Sequence, residues 1–206
     1  MARVIAYIDG FNLYFGLKNK GWKRHYWLDV VGLSRALLKP GQTLQAAHYF
    51  TARIRLTGNN HADMRRQEDY LEALATCSNL SIHFGHFLEK PMHCYRCGTQ
   101  WMAYEEKMTD VNIAVQLLAD AFDDRFDTAL LISADSDLTT PVRQVRSRFP
   151  AKRVIVAQPP GRNSVQLANA ATAAFTISET KVRQSQLPEQ ITKPDGYGLR
   201  RPDSWH

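Results

Sequence analysis

Thr128-Ala129-Leu130-Leu131-Ile132-Ser133-Ala134-Asp135-Ser136-Asp137-Leu138 is a short apolar run that breaks into a Ser-x-Asp-x-Asp turn. A continuous apolar stretch of this length, bounded by polar turn residues, is the pattern of a strand buried on both faces. The same pattern recurs at residues 4–8, 46–51, 82–87 and 154–157, and more weakly at 175–177, with 128–133 completing the set. Helical spacings lie between these runs. Val111, Val115, Leu118 and Phe122 fall at i, i+4, i+7 and i+11 behind a capping Thr109; Leu138, Val142, Val145 and Phe149 repeat the spacing, and a third helix is centred on residues 64–74. Strands alternating with helices predict an α/β fold, a mostly parallel central sheet with crossover helices on its faces.

The rest of the chain bounds what such a fold does. With 206 residues, 44% hydrophobic and 22% charged, it suits one domain with a short appendage and excludes a disordered or collagen-like protein. Residues 1–178 are the expected folded unit. Residues 89–101 fit neither period and read as an insertion, and residues 179–206, with Pro188, Pro194, Pro202, Gly196 and Gly198, read as an extended or disordered tail. The three cysteines, Cys77, Cys94 and Cys97, are too few and odd in number for a disulfide framework. No secretory signal or membrane-length apolar run is present, so the expected location is cytoplasmic, without a membrane partner. Twenty-six Lys and Arg against 20 Asp and Glu give +6, a bias toward an anionic partner.

In a parallel α/β sheet, ligands bind outside the carboxyl ends of the strands. The first strand ends in Asp9-Gly10-Phe11-Asn12, the fourth in Ser133-x-Asp135-x-Asp137, and Asp110 stands in the first turn of the helix after the insertion. Singly, each acid has an ordinary reading as a helix cap or a complement to the helix dipole. Together they are harder to explain structurally, because a second carboxylate on one turn adds like-charge repulsion unless a cation balances it. Clustered aspartate oxygens suit a hard cation, Mg²⁺ or Mn²⁺, better than zinc.

Three separated motifs, Asp9-Gly10-x-Asn12, Lys107-x-x-Asp110-Val111 and Leu130-Leu131-Ile132-Ser133-x-Asp135-x-Asp137-Leu138, resemble in content and order those of the NYN domain, a branch of the PIN-like metal-dependent nucleases. The resemblance covers about residues 3–178. It implies a three-layer α/β/α sandwich that cleaves RNA with divalent metal. It also implies Asp9, Asp110, Asp135 and Asp137 as metal ligands, Asn12 as a polar supporter and Ser133 as the group orienting a carboxylate.

The anionic partner expected is therefore RNA. Arg143, Arg146, Arg148, Lys152 and Arg153 lie in a stretch without an acid; Lys18, Lys20, Lys23 and Arg24 are interleaved with Trp22, Tyr26 and Trp27; Arg53 and Arg55 follow the second strand. Such residues grip phosphates and stack bases, or else form solvated helix faces and core. Ser133, Lys107, Arg143 and Arg146 are the candidate substrate contacts. His93-Cys94-x-x-Cys97-Gly98 is half of a zinc-ribbon-like site, lacking a second pair, so a structural Zn²⁺, a metal-free knuckle and a redox pair all stay open. A homodimer is compatible with the sequence. No P-loop, dinucleotide fingerprint or nucleophile elbow is present. Besides a metal-dependent ribonuclease, the sequence admits a catalytically silent RNA- or protein-binding module and a metal-dependent phosphatase.

Overall fold

The computed structural model describes residues 1–56, 60–193 and 195–205. In chain order the main elements are β1 (Ala2–Asp9), α1 (Gly10–Asn19), α2 (Val30–Ala36), β2 (Gln42–Thr51), α3 (His61–Ala75), β3 (Leu80–Phe84), β4 (His86–His93) and β5 (Gln100–Lys107). They continue with α4 (Thr109–Phe122), β6 (Thr128–Ile132), α5 (Thr139–Arg148), β7 (Arg153–Gln158), α6 (Val165–Ala170), β8 (Ala173–Thr176), α7 (Glu179–Gln184), β9 (Gln190–Thr192) and β10 (Gly198–Arg200). Six strands form a parallel sheet in the order β3-β2-β1-β6-β7-β8.

Alternation along β1 builds the layers. Val4, Ala6 and Ile8 point into a core shared with α1, α2 and α3, while Ile5 and Tyr7 point into a second core shared with α4, α5 and α6. The result is the α/β/α sandwich expected from the strand and helix alternation. The chain winds outward from β1 in both directions, through β2 and β3 on one side and through β6, β7 and β8 on the other. The point where the direction reverses lies between β1 and β6, paired in register from Val4↔Thr128 to Ile8↔Ile132. Their carboxyl ends open the crevice in which this class of sheet places its ligands.

Three expectations need correction. In α4, Val111, Val115 and Phe122 are exposed, and the helix instead buries Ile113, Leu117, Asp120 and Ala121. The buried face contains an aspartate, which disguises it as polar in sequence; Tyr7 and Gln116 supply the hydrogen bonds that make its burial tolerable. Thr109 also does not cap this helix: Met108 occupies the cap position in the left-handed region (φ 80°), and Thr109 donates from its backbone and hydroxyl to the Glu106 carboxylate.

Second, residues 89–101 belong to a regular antiparallel ribbon in which β4 pairs with β5 from His86↔Lys107 to His93↔Gln100. Pro91 and the cysteine turn hide its period of two, and most of its residues are exposed on both faces, so no apolar alternation marks it.

Third, residues 179–205 are not an extended or disordered tail. They form α7, the β9–β10 hairpin and a final single turn at Asp203–Trp205, and they dock through Val182, Leu187, Leu199 and Trp205. Trp205 packs against Tyr26, Trp27 and Tyr70, and Trp27 Nε1 donates to the Pro188 carbonyl at 2.8 Å. Widely spaced anchors hold a segment whose composition resembles a linker. Pro194 and His206, part of that expectation, lie outside the described residues.

Candidate metal centre

Asp9 ends β1 and caps α1: its Oδ1 accepts the Asn12 backbone N–H at 2.9 Å. Gly10 follows because a Cβ there would lie 2.7 Å from the Tyr49 ring and 2.8 Å from the Phe50 carbonyl oxygen, so only glycine lets α1 start this close to β2. One strand over, Ser133 leaves β6 and donates its hydroxyl to Asp9 Oδ2 at 2.9 Å, while the Ser133 hydroxyl oxygen accepts the Asp135 N–H at 3.0 Å. Asn12 Oδ1 accepts the Ala134 N–H at 3.0 Å. Asn12 and Ser133 thus tie the two strand ends together, each touching both segments.

Asp110, in the first turn of α4, completes the cluster. One carboxylate oxygen from each of Asp9, Asp110 and Asp135 lies within 4.8 Å of the other two. Among the described residues this is the group of three or more acids, histidines or cysteines able to hold one ion. Burial drives the Asp9 carboxyl up to about 7 against the pull of its two hydrogen bonds, and the charges of Asp110 and Asp135 push the same way. Asp110 is pushed up to about 6, by burial first and then by Asp135, Glu106 and Asp137. Buried and half-buried acids that raise proton affinity within the group, with no Lys or Arg paired to them among the described residues, form a site whose electrostatic deficit a hard divalent ion would offset.

The other candidate residues divide. Asp137 is exposed, gives its N–H to Asp135 Oδ1 at 3.0 Å and is not one of the three carboxylates that lie within 4.8 Å of one another, although its charge still reaches Asp110. Ser133 is fully buried on Asp9 and Asp135, which makes it a positioning group rather than a substrate contact. Lys107 donates to Glu105 at 2.7 Å, and Arg146 Nη1 caps the last carbonyl of α6, Ala170, at 2.7 Å. Arg143 is exposed on α5. Trp27 is a core residue, and members of the other basic stretches have protein partners at the surface: Lys152 bonds Asp124 and the Phe126 carbonyl, and the half-exposed Arg53 pairs with Glu68. Glu106 is the residue that sequence reading passed over. It adds charge at Asp110 while fixing Thr109, and Glu105-Glu106 immediately before Lys107 was the available signal.

At the ribbon tip, Cys94 and Cys97 are adjacent, and Cys97 is drawn down to about 7, chiefly by hydrogen bonds from Thr99 and also by Cys94. No third His, Cys, Asp or Glu joins them within 4.8 Å among the described residues, and the His93 ring packs on Tyr95. Within the single chain, the possible zinc site of His93, Cys94 and Cys97 is not assembled.

Beside the acidic cluster, on the other flank of α1, lies a cavity of about 420 Å³ lined by Phe11, Tyr14, Phe15, Tyr49, Tyr70 and Trp205 among others, with Lys18 and Arg66 at its polar positions.

A parallel sheet reversing at β1/β6 with acids at that edge has a counterpart among known families: the NYN domain matches residues 3–179. The chain belongs to the NYN domain family. It is also 24% identical, over 99% of its length and 75% of the relative's, to 6-hydroxy-3-succinoylpyridine 3-monooxygenase HspA of Pseudomonas putida. A solved structure of a protein of unknown function from Vibrio parahaemolyticus shares the fold, with TM-score 0.54 and 19% identity over 86% of this chain and 94% of that one. No helix of this NYN protein, among the described residues, is long and apolar enough to cross a membrane.

Proposed function

We propose that this NYN protein is a divalent-metal-dependent ribonuclease that hydrolyses RNA phosphodiester bonds at Asp9, Asp110 and Asp135, using Mg²⁺ or Mn²⁺. The observation that carries the reading is the convergence of three carboxylates, one of them buried, at the switch point of the sheet. An ion bound there supplies an activated water and shields a non-bridging phosphate oxygen. The chain's own task is to hold the carboxylates: Ser133 and the Asn12 N–H fix both oxygens of Asp9, the Ser133 hydroxyl fixes the turn that carries Asp135, and the α4 N-terminus carries Asp110. Asp137 and Glu106 add negative potential that favours a cation. The net charge of +6 and the exposed Arg143 favour a polyanion outside the acidic pocket. Three free cysteines fit a reducing, cytoplasmic setting.

The decisive experiment is cleavage of single-stranded RNA with Mn²⁺, comparing the wild type with Asp9→Asn and Asp135→Asn. The reading predicts turnover that needs the ion and is lost in both variants; full activity in either would remove it. RNA affinity should also fall steeply with rising salt.

The aromatic cavity supports a second reading. Its walls suit a flat ring, and the relative from Pseudomonas putida is named for chemistry on a pyridine. Under this reading the NYN protein binds a small nitrogen heterocycle. Titration with 6-hydroxy-3-succinoylpyridine, followed by tryptophan fluorescence, separates the two: saturable binding without RNA cleavage favours the second.

A further inference from the structure

The ribbon stands apart from the rest of the molecule. β4 and β5 form a sheet of their own, and the length of their strands carries the tip about 25 Å from the root, at about 3.3 Å per residue. A free two-stranded ribbon is marginal in water. This one nevertheless exposes Leu88, Met92, Trp101, Met102 and Tyr104, and Tyr95 at the tip is 92% exposed. By the register Leu88, Met92 and Trp101 lie on one side of the ribbon and Met102 and Tyr104 on the other; isolated large apolar residues on a surface are ordinary, but three sharing one side of a thin projection, next to Tyr95, mark a face that is covered in the working state.

The tip itself is built. Gly98 takes the left-handed conformation (φ 71°) and its N–H closes the turn onto the Cys94 carbonyl at 2.8 Å, while the Cys94 N–H donates to the Thr99 carbonyl at 2.8 Å. These bonds bring the two sulfurs together, and both the hydroxyl of Thr99, 3.2 Å away, and its backbone N–H face the Cys97 sulfur. Backbone and hydroxyl donors around a sulfur are what a metal-bound thiolate uses to disperse its charge. A structural zinc site takes four ligands, and among the described residues this chain brings two to the tip.

We propose that the ribbon tip is half of a tetrathiolate zinc site, completed by Cys94 and Cys97 of a second copy of this chain. A two-fold axis through the ion makes the contact isologous, so each copy gives the same two sulfurs and covers the other's Met92, Tyr95 and Trp101. The site joins two copies at the ribbon tips and leaves the acidic crevice of each open. It requires neither RNA nor the activity proposed above.

The test is a Zn²⁺ titration of metal-stripped, reduced full-length protein in an Asp135→Asn background with excess Mg²⁺, which keeps zinc from the carboxylates. Zinc content and solution mass are read together. Saturation at one zinc per two chains, with the mass doubling from 23.5 kDa and both changes lost in Cys94→Ser and Cys97→Ser, is the expected result. One zinc per chain without a mass change, no uptake of zinc, or a dimer that persists in the serine variants would each overturn it. Co²⁺ in place of Zn²⁺ gives a check independent of the variants' folding. The visible spectrum of four-sulfur tetrahedral ligation supports the shared site, and a mixed sulfur–nitrogen spectrum assigns the ion to a single chain with His93.

Discussion

Two aspartates of this protein are buried at the sheet, and they end in opposite circumstances. Asp120, on α4, is 1% exposed and is met from several sides: Tyr7 Oη at 2.8 Å, Gln116 Nε2 at 3.1 Å, Arg125 Nη1 at 3.3 Å, and His48 Nε2 at 3.5 Å. Asp9, 4% exposed at the end of β1, has two donors and then faces two further carboxylates. Tyr7 and Asp9 lie two residues apart on one strand, so the contrast is not one of depth. It lies in the partner set: Asp120 is answered within the protein, while Asp9 is left needing positive charge. A buried acid marks a functional site when its partners repel it, and a structural one when they complete it.

The comparison can be broken most sharply by swapping consequences. Asp9→Asn or Asp135→Asn should lower metal-dependent RNA cleavage by about 10³-fold or more, roughly 4 kcal/mol of transition-state stabilisation, while the fold survives by circular dichroism. Asp120→Ala should do the reverse. It strands the Tyr7 hydroxyl and the neighbouring donors and costs roughly 3 kcal/mol in urea unfolding, with cleavage per folded molecule retained. Equal loss of activity in both would erase the distinction.

Proton linkage sharpens it further. The Asp9 carboxyl titrates near 7 in the folded chain, above its ordinary value of 3.8, so the unfolded chain releases this proton first as pH rises. Its contribution to stability is therefore present at low pH and lost between about pH 4 and 7. His48 acts oppositely: burial holds it down to about 4, so it removes stability as pH falls from 6.5 toward that value. The difference between the wild type and Asp9→Asn isolates the first effect. Without metal the variant should come close to the wild type near pH 4 and exceed it by roughly 4 kcal/mol at pH 8, and saturating Mn²⁺ should remove the gain. The smallest effect belongs to Ser133→Ala, which keeps the ligands but frees Asp9 Oδ2. Cleavage should fall about 10-fold, with the loss partly recovered at higher Mn²⁺.

Much of this was legible in the order of residues. The apolar runs at β1, β2, β6 and β7 declared a parallel sheet because strands covered on both faces must be apolar throughout, and acids placed just past two of them could only emerge at one edge. Asp110 was legible through its position in a helical first turn. What failed did so for local reasons. Asp137 shares a turn with Asp135 but is not in the group of three carboxylates, and the sequence alone could not say which of the two acids joins that group directly. The buried stripe of α4 was misread because Val111, Val115 and Phe122 are apolar yet exposed, whereas the inward face includes Asp120, whose partner Tyr7 is 113 residues away in sequence. The segment from Glu179 to Trp205 looked unstructured because its anchors are few and spaced irregularly, without a period. Arg146 and Lys107, read as phosphate contacts, also bond a helix carbonyl and a neighbouring glutamate, partners that a sequence does not reveal.

The Ser133–Asp9 hydrogen bond spans 124 positions of the chain. As the polypeptide leaves the ribosome, β1 finds β2 early, but the strand that brings Ser133 and Asp135 emerges only after more than half the protein has been made. The set of three carboxylates is therefore complete only once Asp135 has been made. On the proposed reading, a nascent chain still attached to its translating message carries Asp9 and Asp110 without Asp135, and the capacity to cut RNA would arrive only with the second half of the sheet.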